Sequence, residues 1–161
     1  MSSSRENYKY IVTWIDDKSR KVFVDGIKLK SEVVDGLKMF VERAEVETNH
    51  RVVSLDSDGG GEYIAGALQQ YLKDKGIRHE MTTPDTPQHN GVAERMNRTL
   101  LDKVRAMLAD AALPDTYRYN AIRYAAHIHN VTPTQALDGI APEEAWSGNK
   151  PDVSDICIFR S

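Results

Sequence analysis

Two carboxylates, Asp58 and Glu94, stand in local contexts that suit chemistry. Asp58 lies in Ser54-Leu55-Asp56-Ser57-Asp58-Gly59-Gly60-Gly61-Glu62-Tyr63, directly after the apolar pair Val52-Val53, so its side chain is expected to project from a strand end into a glycine-flanked turn. Glu94 lies in Pro87-Gln88-His89-Asn90-Gly91-Val92-Ala93-Glu94-Arg95-Met96-Asn97-Arg98, where Asn90-Gly91 ends a polar loop and a helical pattern begins. A strand-end Asp and a first-turn Glu can meet across a cleft, and two hard oxygen donors at that point suit magnesium or manganese. Phosphoryl-transfer sites use these ions to hold attacking and leaving oxygens in line. Each residue also has a plainer reading, Asp58 as an Asx-turn residue and Glu94 as a carboxylate at the positive end of a helix dipole. His127 and His129 are two apart on a helix, face different sides, and do not read as a ligand pair.

The elements that must position these groups alternate between strand and helix. Tyr8 to Ile15 is apolar and β-prone, Lys21 to Leu29 follows after Asp17-Lys18-Ser19, and the two are expected to form an antiparallel hairpin. From Ser31 to Glu45 the apolar residues Val33, Val34, Leu37, Phe40, Val41 and Ala44 recur at helical spacing, with Ser31 as cap. Arg51 to Leu55 reads as a short strand, Ile64 to Lys75 as a helix stopped by Gly76, and Ile77 to Met81 as another short strand. Thr82 to Asn90 carries two prolines and is expected to be a loop without helix. A long helix should then run from Gly91 to about Ala112, a second from Asp115 to about Asn130, and a short one from Pro142 to Trp146, with Leu137-Asp138-Gly139 as a turn between the last two. No internal repeat or linker appears, so residues 1–161 read as one α/β domain with a flexible arm at 1–7.

At 161 residues the chain can bury a core without disulfides or a structural metal. Its single cysteine, Cys157, fits a reducing nucleus or cytoplasm, and between Ile156 and Ile158 it is expected to be a small buried residue in a short strand. No apolar run is long enough for a bilayer, which points to a soluble protein without a membrane partner. The net charge of −3 argues against a binder that relies on bulk positive charge to displace DNA counterions.

The segments SDGGGEY, TPDTPQHNGVAERMNRTL and PEEAWSGNKPDVSDICIF, in this order and at this spacing from about Tyr8 to about Phe159, resemble the integrase catalytic core of copia-type retrotransposons. That family is related to retroviral integrases in the ribonuclease H-like superfamily. The resemblance implies a ribonuclease H-like mixed sheet flanked by helices, with Asp58 and Glu94 as catalytic metal ligands for Mg or Mn. It also implies DNA contacts from Gln88, His89 and Asn90 in a flexible loop and from Asn97 and Arg98 one helical turn beyond Glu94.

Family members carry three acidic ligands, the first on an upstream strand in a segment similar to HxDxxGP, and Met1 to Tyr8 holds no such segment. The fold is therefore expected to be truncated at its N-terminal strand, with weak or absent binding of Mg or Mn without that first Asp and an open sheet edge that favours a homo-dimer or higher oligomer. Asp16 and Asp17 match a different family segment and are expected to cap turn backbone groups. Asp56 falls where the family varies and reads as exposed, while Gly59 replaces a family Asn whose amide could orient a ligand.

Two functions follow from the resemblance. One is a retrotransposon integrase core, a DNA nucleotidyltransferase that trims and joins ends by metal-dependent phosphodiester transfer and is expected to be inactive as this chain alone. The other is a degenerate or domesticated module kept for nucleic-acid binding or dimerisation.

Overall fold

β1 (Tyr10–Ile15) and β2 (Val22–Ile27) pair in a two-stranded sheet. Their short connection permits only a hairpin, since parallel partners need a long crossover. Asp16 closes the turn. Its N–H donates to the Lys21 carbonyl at 3.0 Å, its carbonyl accepts from Arg20 N–H at 2.8 Å, and its carboxylate accepts from Ser19 N–H at 2.7 Å. Arg20 adopts φ 59° there and its guanidinium pairs with Asp17 at 3.0 Å, so both aspartates serve the turn. Trp14 Nε1–H donates across the pair to Asp25 at 2.7 Å.

The computed structural model describes residues 8–57, 62–81 and 87–159, which form two compact units: Met1–Gly26 with Asn97–Ser161, and Ile27–Met96. In the second unit, α1 (Val33–Thr48) buries Val34, Leu37, Val41 and Ala44, the stripe its periodicity requires. Ser31 is not its cap, as the hydroxyl type suggested. It lies in a 3-10 turn, Lys30–Glu32, that leads into α1; the N-cap of α1 is Glu32, which makes no side-chain bond to the helix, and whose carboxylate accepts instead from the N–H groups of Lys28 and Leu29 ahead of the 3-10 turn. The longer carboxylate reaches back over the turn where a serine would not.

β3 (Ser54–Ser57) and β4 (Arg78–Met81) run parallel, with Leu55 opposite His79 and Ser57 opposite Met81. Their crossover contains α2 (Glu62–Lys75), which ends at Gly76 with φ 71°, a left-handed conformation open to glycine. Leu72 and Ile77, on either side of that turn, are buried.

α3 spans Pro87–Asp110. The expected loop from Thr82 to Asn90 is therefore wrong over its last residues: Pro87 opens the helix, and Gln88, His89 and Asn90 lie in its first turn. Proline lacks only an N–H that the first turn leaves unbonded anyway, so it starts a helix as readily as it ends one. At the far end Ala112 turns to φ 52°.

In the first unit α3 contributes the buried residues Leu100, Val104 and Leu108, and α4 (Arg118–Val131), which follows a 3-10 turn at Asp115–Tyr117, buries Ala121, Ile122, Ala125, Ala126, Asn130 and Val131. Asn130 clasps β2: its Oδ1 accepts from Val22 N–H at 2.9 Å and its Nδ2 donates to the Val22 carbonyl at 2.7 Å. α5 (Pro142–Ser147) packs on α4 and sends Glu143 to the buried Lys21 ammonium at 2.8 Å, which also lies over the rings of Phe23 and Trp146.

Tyr8 fills the space over Gly26, where a Cβ would collide with its ring, and meets the Tyr119 ring at a tilt of 57° with centroids 4.4 Å apart. The C-terminal segment corrects one expectation. Cys157 is exposed and forms no strand, because Ile156 and Ile158 point outward while the chain is tied down by Tyr124, whose hydroxyl donates to the Cys157 carbonyl and whose ring meets Phe159.

Candidate functional site

β3 carries the chain to Ser57, and Asp58 and Gly59 lie outside the described residues. Alternation along the strand puts Leu55 and Ser57 on one face and Asp56 on the other, where Asp56 is exposed as expected. Ser57 does not stand alone. Its Oγ lies 2.7 Å from His79 Nε2 on β4, and His79 Nδ1 lies 2.7 Å from Gln69 Nε2 on α2. Sequence reading passed over this trio, although the parallel pairing of two short strands joined by one helix brings same-parity residues of both strands to one face. The signal was a histidine and a serine at matching parity in neighbouring strands.

Glu94 is exposed on α3, two turns in from Pro87 rather than in the first turn. That position removes the plainer reading of Glu94, because the helix dipole acts on charges within about the first turn. Asn97 and Arg98 follow at three and four residues, on the next turn of the same helix, and both are exposed. Asn97 is partly engaged: Thr13 Oγ1 on β1 donates to its Oδ1 at 2.9 Å, which orients the amide. Arg95 folds back along its helix, donating from Nε to the Gly91 carbonyl at 2.9 Å. Of Gln88, His89 and Asn90 the backbone is helical, and their side chains lie outside the described residues.

Among the described residues no three His, Cys, Asp or Glu side chains come together as a metal site, a set that includes Glu94 but not Asp58. The donor chemistry of the pair nevertheless fits a hard cation, since both residues offer carboxylate oxygens and the one that is described is accessible. The histidines of α4 serve elsewhere. His129 Nε2 lies 3.0 Å from the Arg20 carbonyl, and burial pushes its pKa down against that hydrogen bond, with the Lys103 charge acting in the same direction as burial. No helix among the described residues is long and apolar enough to cross a membrane.

Two family models, both described as integrase core domain, match residues 1–87 and 75–142. The chain is 43% identical over 151 residues to the retrovirus-related Pol polyprotein from transposon TNT 1-94 of Nicotiana tabacum, covering 94% of this chain and 11% of that protein. To the Pol polyprotein from transposon RE2 of Arabidopsis thaliana it is 33% identical over 156 residues, or 97% of this chain and 11% of the relative. The chain thus spans about a ninth of the length of the curated relatives it matches. Among solved structures, the simian T-cell lymphotropic virus intasome in complex with PP2A regulatory subunit B56 gamma superposes with a TM-score of 0.68 at 21% identity, over 91% of this chain and 52% of that one. The HTLV-2 integrase catalytic core domain in complex with magnesium, in a trimeric form, gives 0.61 at 20% identity over 84% and 83%. These likenesses identify the fold as the ribonuclease H-like α/β fold of integrase catalytic cores.

Proposed function

The chain belongs to the integrase core domain family, in the branch carried by the Pol polyproteins of copia-type transposons, and from that premise we propose that it takes part in DNA integration by metal-dependent phosphodiester transfer. The observation that carries the reading is the face of α3, where an exposed carboxylate that no helix end requires is followed one turn on by an amide and a guanidinium. Asp58, the residue that follows β3 in the chain, and Glu94 would hold the cation. Magnesium or manganese, when bound, supplies Lewis-acid stabilisation of the attacking and leaving oxygens. Arg98 pairs with a backbone phosphate and Asn97, its carbonyl held by Thr13, offers its amide N–H groups to the same strand. Gln88, His89 and Asn90, in the first turn of α3, extend that contact toward the DNA end. The catalytic assignment applies to the domain within its complete protein, acting on DNA in the nucleus or cytoplasm as a dimer or higher oligomer.

Metal-linked DNA binding tests this with the chain itself. A fluorescent duplex is titrated with protein over a range of salt, in magnesium and in chelator. Magnesium should tighten binding to the wild type, because a cation between the two carboxylates relieves their repulsion of phosphate, and Glu94→Gln should abolish the difference. Arg98→Ala should weaken binding and lower the log–log salt slope by about one. Binding that ignores magnesium in the wild type and in Glu94→Gln alike would instead mark a nucleic-acid-binding or dimerising module without chemistry.

A further inference from the structure

After α5 the chain passes through Gly148, at φ 78°, and Pro151 into a segment without helix or strand. Tyr124 ties it down, its hydroxyl donating to the Cys157 carbonyl and its ring meeting Phe159. In Asp155-Ile156-Cys157-Ile158-Phe159 two β-branched residues flank one cysteine, a composition that suits a strand. Yet the described strands pair only as β1 with β2 and β3 with β4. Ile156 and Ile158 are 39% and 66% exposed, and Val153, just before them, is 52% exposed. An open groove of about 300 Å³ continues this apolar surface from Ile158 and Phe159 to Met107 and Ala111 at the end of α3.

We infer that this segment is a self-pairing surface, in which Ile156 to Ile158 of one copy pairs antiparallel with the same residues of a second copy about a two-fold axis at Cys157. The order Ile-Cys-Ile reads the same in both directions, so a pair centred on Cys157 sets each Ile156 against Ile158 of the partner subunit. A two-fold contact requires that self-complementarity, and β-branched residues directly opposite each other are favourable. The Tyr124 hydroxyl holds the Cys157 carbonyl, so the two cysteines form the kind of pair that exchanges no hydrogen bonds. Cα atoms in such a pair lie about 4.5 Å apart, within disulfide reach. Pairing replaces the 3.2 Å bond from Ile156 N–H to the Val153 carbonyl. Three residues a side bury far less than the roughly 1,200 Å² of a stable interface, so this contact adds to others. The proposal rests on the reading of the chain as a dimer or higher oligomer and names one surface for it.

Sedimentation velocity over a range of protein concentration, with the rate of disulfide dimer formation under a mild oxidant, tests this on the whole chain. Cys157 is the single cysteine, so every disulfide dimer reports that residue. The wild type should sediment as a dimer at high concentration and cross-link. Ile158→Lys, at an exposed position, should leave the thermal midpoint unchanged and slow cross-linking about tenfold. Adding Ile156→Asp sets opposite charges across both ends of the pair and should recover most of the rate. A chain that is monomeric at every concentration would overturn the pairing and the oligomer reading together. A dimer that does not cross-link, that cross-links as fast in Ile158→Lys as in the wild type, or that is not rescued in the double variant keeps the oligomer and overturns this surface.

Discussion

Each of the two compact units buries a polar side chain, and they treat it in opposite ways. In the unit of β1, β2 and the late helices, Asn130 has both amide atoms bonded to the backbone of Val22. In the unit of Ile27–Met96, the Tyr71 hydroxyl is buried and has no hydrogen-bond partner among the described residues. Burial pushes its pKa up, and the charges of Glu42 and Glu45 push it further. The first unit uses its interior polar groups to lock distant segments together, which also describes the Lys21–Glu143 pair under Phe23 and Trp146. The second joins the polar groups of Ser57, His79 and Gln69 at the last residue of β3 and leaves the Tyr71 hydroxyl in its interior without a partner among the described residues.

The largest test of that contrast is Asn130→Leu. It strips partners from a buried N–H and a buried carbonyl of Val22, each costing roughly 1–3 kcal/mol, so a loss of about 4 kcal/mol is expected. Urea unfolding with an unchanged slope and a lower midpoint would show it; a cost under about 1 kcal/mol would mean the clasp is not what locks β2. Lys21→Met should cost less, about 2 kcal/mol, because the new side chain still fills the space between the two rings and the Glu143 carboxylate keeps partial access to water, with side-chain exposure of 30%. Tyr71→Phe should go the other way, stabilising by about 1 kcal/mol, since it removes an unpaired hydroxyl and little else. Destabilisation by that change would show that the hydroxyl is satisfied after all and would dissolve the contrast.

The smallest expected effect is a pH dependence. Burial holds the pKa of folded His129 below its ordinary value of 6.5. The unfolded chain therefore binds the proton first. The contribution of the neutral ring is fully present above about pH 6.5 and is lost as pH falls through the depressed folded value. Unfolding midpoints at pH 7.5 and 5.5 should differ less in His129→Gln than in the wild type. Equal differences in both proteins would assign the pH dependence to other groups.

Much of the fold was legible because its signals are periodic. The stripe Val34, Leu37, Val41 and Ala44 gave α1, Gly76 marked the end of α2, and Pro142 opened α5. The errors fall where one residue type serves two structures. Pro87 read as a breaker and is a helix start; Ser31 read as a cap while Glu32, one residue on, satisfies the backbone; Cys157 read as core from its isoleucine neighbours, which face outward. The shift of the α3 start by a full turn also moved Glu94 away from the helix end. Asp58 and Glu94 were legible as candidates from their motifs. The Ser57–His79–Gln69 contacts were not, because they depend on a parallel register that no local pattern encodes. The four described strands form two pairs, a parallel one and a hairpin, a division that strand propensity alone does not specify.

If the end of β3 and the second turn of α3 hold one cation, as proposed, paramagnetic line broadening by manganese reports it directly. In a 15N-labelled chain, the amide signals of Leu55 to Ser57 and of Val92 to Arg95 should broaden together, with the same dependence on manganese concentration, and Asp58→Asn or Glu94→Gln should weaken both. Broadening confined to one of the two segments, or broadening that persists unchanged in both variants, would contradict the account.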